Sequence, residues 1–135
     1  MTKLSQRQTL VSIKDLPGLW ASKSGGNITA DASPVWDGGS VTPEMMAGPA
    51  SAENITTGRP FDDQRDLPLL GVLRSRVGKW RTTITVQYTN ADLVPIGVPT
   101  VYPDALLVSC NEPEADASSS DSMMLELEWA IGAYV

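Results

Sequence analysis

The chain has 135 residues, 41% hydrophobic and 19% charged, the size and composition of one globular domain with its own core. It contains no histidine and a single cysteine, Cys110, which excludes Ser–His–Asp and Cys–His catalysis, His-ligated metal centres and an internal disulfide. Net charge is −6, but all ten Lys and Arg lie in residues 1–81 beside eight acids, while residues 82–135 hold eight acids and no base, a balance that argues against specific binding of nucleic-acid phosphates.

The first residues, MTKLSQRQTLVSIKD, hold no apolar run of signal-peptide length. No stretch reaches the roughly 18 apolar residues of a membrane helix. Synthesis in a cytoplasm, a soluble product and no membrane insertion are therefore expected. Residues 7–14 read as a strand, with Thr9, Val11 and Ile13 on one face. Residues 18–36 read as a hairpin: a strand near 18–23, a turn at Gly25-Gly26-Asn27 and a strand near 28–36. Residues 37–52, DGGSVTPEMMAGPASA, lack a clear period and read as a long loop with an adaptable apolar tip at Met45 and Met46.

The stretch 53–66, ENITTGRPFDDQRD, gathers four carboxylates with Arg59 and Arg65. A short strand at 53–58 leads into it and a helix leads out. Asp66 is the expected N-cap, Pro68 falls in the first turn, Arg74 and Arg76 in the last, and Gly78 is the stop. Leu69, Leu70, Leu73 and Val77 share one face of that helix. Asp62, Asp63 and Asp66 could ligate a hard cation only if they converged. Adjacent residues point apart and Asp66 is better used as a cap, so no metal site is expected.

Residues 79–90 form the clearest strand, about 33 Å over ten residues. Trp80, Thr82, Ile84, Val86 and Tyr88 alternate with polar residues that include Thr83 and Thr85. Residues 98–111 read as a strand whose two prolines suggest an edge or a bulge. An acidic, Ser-rich loop follows, and 123–135 closes the chain with Met123, Leu125, Leu127, Trp129 and Ile131 alternating with Met124, Glu126, Glu128 and Ala130. Glu126 and Glu128 lie roughly 7 Å apart along a strand. That spacing allows paired-carboxylate chemistry, but a solvated polar face accounts for it better. Cys110 lacks a histidine to activate it. The four tryptophans are read as core or interface anchors rather than a sugar platform. The sum is a single mainly β domain over 1–135, a β-sandwich or barrel of seven or eight strands with one short flanking α-helix.

The order VSIKDLPGLWASKSGGNITADASPVWDGG, ENITTGRPFDDQRD, a helix, GKWRTTITVQYTN and a last alternating strand resembles the tail tube proteins (major tail proteins) of long-tailed bacteriophages. The resemblance covers most of the chain as a loose pattern. It implies a structural virion protein with no catalysis and no cofactor, made in the host bacterial cytoplasm and placed in the phage tail. Six copies would close into a ring, their inner sheets joining into one β-barrel, and rings would stack into a tube. The implied partners are further copies of itself, a tape measure protein, tail terminator and tip proteins, and double-stranded DNA in transit without specific binding. The flexible, non-contractile kind of tail is the nearer likeness. On this reading Glu126, Glu128, Thr83 and Thr85 face the lumen, and Met45 and Met46 contact the next ring. Arg59, Arg65, Asp62 and Asp63 carry charges between subunits. The alternative is a monomeric or trimeric β-sandwich binding or decoration module on a virion or cell surface, with its tryptophans exposed.

Overall fold

The structure, a computed structural model, describes residues 2–132. Within them the chain runs β1 (Thr9–Ile13), β2 (Ser22–Gly25), β3 (Ile28–Val35), β4 (Glu44–Ala52), β5 (Ile55–Pro60), α1 (Leu67–Arg76), β6 (Arg81–Tyr88), β7 (Thr100–Cys110) and β8 (Met124–Ala130). The mainly β class with one short flanking helix is as the alternation patterns require. Residues 133–135, the end of the closing segment, lie outside the described residues.

Six strands make one antiparallel sheet in the order β1-β6-β7-β8-β5-β2. It curls into a half-barrel. The curl brings its two ends toward each other: the Trp20 N–H, two residues before β2, donates to the Val11 carbonyl of β1 at 2.8 Å. Period-two alternation then gives the sheet a buried inner face and a polar outer one. Val11 and Ile13, Ile84 and Val86, Tyr102, Ala105 and Leu107, and Leu125, Leu127 and Trp129 all point inward and are buried. Burying each of the larger ones contributes about 1.5–3 kcal/mol. Helix α1 closes the core with Leu73 buried and Leu69, Leu70 and Val77 packed beside it. Trp80 meets Trp129 edge to face at 5.6 Å, and the Trp129 indole N–H donates to the Thr57 hydroxyl at 3.1 Å.

Strands β3 and β4 form a separate two-stranded hairpin. This corrects two sequence expectations. Residues 18–36 are not a hairpin, because β2 pairs with β5 across the sheet while β3 pairs with β4. Gly25 and Gly26, both at positive φ, turn the chain out of the sheet instead of folding it back. Residues 37–52 are not one long loop: 44–52 is strand β4, whose Ala, Gly and Pro content hides its period. Of the edge or bulge expected for the 98–111 strand, β7 shows the register irregularity and not the edge, since it pairs with both β6 and β8. Of the two prolines, Pro99 precedes the strand and Pro103 is tolerated because the ladder shifts register between Tyr102 and Ala105. Pro103 sits there beside Asp104, which has a positive φ of 60°, so the ladder requires no N–H from it. Tyr88, expected inside, is 42% exposed at the end of β6.

Candidate functional site

Three surfaces carry the residues singled out from the sequence. The first is the outer face of the curled sheet. Thr83 and Thr85 alternate with buried Thr82, Ile84 and Val86, and Glu126 and Glu128 alternate with buried Leu125, Leu127 and Trp129. All four are therefore on the side away from the core, and all are half-buried. Strand β7 separates the two pairs. Thr85 stands opposite Val101 and Ser12, while Glu128 stands opposite Ser109 and Thr56. Small and hydroxyl side chains thus surround two carboxylates. Asn111 donates to Glu126 Oε2 at 3.3 Å.

The second surface is the β3–β4 hairpin. Every residue of β3 and most of β4 is exposed, and neither strand packs substantially on another element. Cross-strand partners share a face. The pairs Ile28–Ala52, Ala30–Ala50, Ala32–Ala47 and Pro34–Met45 therefore build one continuous apolar face. Thr29 with Ser51, Ser33 with Met46 and Val35 with Glu44 build the other, where Asp31 also falls. Met45 and Met46, expected together as a loop tip, are 58% and 51% exposed but on opposite faces of a strand. Trp36 and Val41, in the connection between the strands, are 61% and 92% exposed. Sequence reading missed this apolar face, although the alternation of Ile28, Ala30, Ala32 and Pro34 was there to find.

The third surface is the charged stretch after β5, and here two expectations are corrected. Arg59 is not at a surface. It is 1% exposed, its guanidinium stacked 4.2 Å over the Trp20 ring. It donates to the Pro17 carbonyl and to Asp66 Oδ1. Asp66 does stand at the expected N-cap position, and its backbone carbonyl accepts from Leu69 and Leu70, but its side chain makes no capping bond. That carboxylate is buried and accepts from Arg59, from Arg65 Nε and Nη2, and from the Asp62 N–H at 3.0 Å. Burial alone would raise its pKa, but the Arg65 and Asp62 hydrogen bonds and the Arg59 charge together hold it below the ordinary carboxylate value. Asp62 orders the turn before the helix, its Oδ1 accepting the Gln64 and Arg65 N–H groups at 2.9 and 3.0 Å. Asp63 is exposed. The cluster is a knot tying the β1–β2 connection, β5 and α1 together. Among the described residues no three acidic or thiol side chains are gathered for a metal ion, and burial raises the pKa of the Cys110 thiol despite the opposing charge of Arg74.

No protein-family model and no curated protein matches the chain. Solved structures do. The chain is similar to a cryo-EM structure of an extracellular contractile injection system, the PVC sheath/tube terminator in its extended state. TM-score is 0.81 at 21% identity over 100% of this chain and 96% of that one. It is also similar to the anti-feeding prophage cap (AFP tube terminating cap), with TM-score 0.83 at 18% identity over 100% and 91%. Hcp1 from Flavobacterium johnsoniae shares the fold at TM-score 0.52 and 11% identity over 95% and 98%. Identities this low carry the fold and leave the activity to be argued from the surfaces.

Proposed function

We propose that the protein is a non-catalytic structural subunit whose copies close into rings, six to a ring, and stack into a hollow phage-like tail tube. The observation that carries this reading is the β3–β4 hairpin, which stands clear of the body with an uncovered apolar face. A two-stranded hairpin is marginal by itself in water, and an apolar patch of this extent marks a contact surface. The hairpin, with Met45 and Met46, is the element that reaches the next ring. The outer face of the sheet, with Glu126, Glu128, Thr83 and Thr85, lines the lumen, where inner sheets of neighbouring copies join into one barrel and carboxylates keep DNA from sticking. Asp62, Asp63 and Arg65 remain for charge contacts between subunits; Arg59 serves inside the protomer. A tape measure protein, terminator and tip proteins and transient double-stranded DNA are the partners of such a tube in a virion.

The similarity to parts of contractile injection systems moves the reading from a flexible, non-contractile tail toward the inner tube of a contractile one. The decoration-module alternative needs exposed tryptophans as a ligand face. Trp20 and Trp129 are buried and Trp80 half-buried, which leaves Trp36 alone. Negative-stain imaging and sizing of the purified protein test the proposal. Hollow tubes or hexameric rings are expected; a monomer at all concentrations that binds glycan would overturn it.

A further inference from the structure

Helix α1 is unusual for a helix on the flank of a domain, because its outward side is apolar as well as its inward side. Leu69, Leu70, Leu73 and Val77 pack inward. Leu67 and Val72 remain 59% and 42% exposed, with Pro68 and Gly71 exposed beside them. A Cβ at Gly71 would meet nothing within 4 Å, so another backbone can approach closely there. The apolar face of the hairpin has the matching relief: four alanines, Ala30, Ala32, Ala47 and Ala50, between larger Ile28 and Met45.

Charge matches as well. Residues 24–58, which contain the hairpin, carry Asp31, Asp37, Glu44 and Glu53 and no base. Residues 67–81, which contain α1, carry Arg74, Arg76, Lys79 and Arg81 and no acid. Two of these bases are already near carboxylates of their own chain, Arg74 at 3.9 Å from Glu112 and Arg81 at 3.1 Å from Asp104. Arg76 stacks 5.5 Å over Trp80. The hairpin does not pack on its own α1.

We propose that the apolar face of the hairpin of one copy packs across the outward face of α1 of a second copy, with Asp37, in the connection between β3 and β4, brought to Arg74 and Arg76. The contact is heterologous: each copy offers a hairpin and a helix, and each pairing leaves one of each open for further copies. Opposite charge around the apolar patch fixes which way the hairpin lies. This contact rests on the self-assembly reading and names the surface that receives the hairpin.

The test uses full-length chains with Cys110→Ser. Ala47→Cys on one tagged chain and Gly71→Cys on another should give a mixed disulfide in assembled material, whereas Ala47→Cys with Ser119→Cys in the acidic loop should not. Independently, Asp37→Lys should abolish assembly, as should Arg74→Glu with Arg76→Glu. All three in one chain should restore it. Wild-type tubes without the Ala47–Gly71 cross-link, cross-linking equally to Ser119, or charge reversals that leave assembly intact would overturn the contact while the tube reading stands. A wild-type protein that never assembles would overturn both.

Discussion

Arg59 and Asp66 lie seven residues apart on different elements, and both are out of water with each other as partner. Removing one side of such a pair leaves a buried charge without compensation, which costs about 3–5 kcal/mol. Asp66→Asn should therefore lower stability by that order in urea unfolding. Arg65→Ala should cost less, because Arg65 is one-third exposed and Arg59 still serves the carboxylate. The pH dependence follows from the lowered pKa of Asp66. A depressed folded pKa gives stability that is fully present above the ordinary value of 3.8 and is lost as pH falls through the folded value. Unfolding midpoints taken from pH 7 down to 2 should show this acid loss in the wild type and a smaller one in Asp66→Asn; equal slopes would remove Asp66 from the account. The stretch 53–66 advertised its charge in the sequence. Its arrangement was not legible, because burial of one carboxylate among four depends on Trp20 and Pro17, some forty residues earlier.

At the scale of elements, legibility followed side-chain size. Strands β6 and β8 alternate large apolar with polar residues, and both fold with those rows on the core. Strand β3 alternates as regularly, but with alanine on the apolar side, and alanine barely contrasts with Thr or Ser; in β4 a register shift between Ala47 and Ala50 interrupts the period. The Gly25-Gly26 turn was visible, while its consequence was not: pairing across a curled sheet is a long-range choice. Gly25 can be tested directly. Its φ is +84°, and a Cβ there would lie 2.1 Å from the Asn54 carbonyl oxygen. Gly25→Ala should break the β2–β5 register where the hairpin leaves the sheet, costing about 1–3 kcal/mol. Thermal unfolding would register it, and an unchanged midpoint would show that the turn tolerates a side chain. Replacing 36–43 by a two-residue turn should leave the core fold intact by circular dichroism and yield rings or protomers in place of tubes. Tubes of normal length would remove the hairpin tip from the assembly contact.

For the whole molecule the deciding quantity is where the charge lies. Residues 82–135 hold eight carboxylates and no base, yet only Glu126 and Glu128 of them project from the middle of the outer sheet face; the loop between β7 and β8 takes Glu112, Glu114, Asp116 and Asp121. If that face lines a lumen, every copy contributes two carboxylates to a ring of like charge, and the nearby low-dielectric wall strengthens their field. Such a field repels phosphates at distances set by screening, about 10 Å at 0.1 M salt. Glu126→Lys with Glu128→Lys reverses it without touching the core, since both side chains point away from Leu125, Leu127 and Trp129. Tubes should still form. Double-stranded DNA, which the wild-type wall would not hold, should now bind to open-ended tubes at low salt and release as salt rises, since each neutralised phosphate steepens the salt dependence. Co-sedimentation of DNA with tubes across a salt series measures this. Absence of tubes in the double variant would show that the glutamates serve subunit contacts instead. Intact tubes with no gain in DNA binding would place the acidic face outside the lumen.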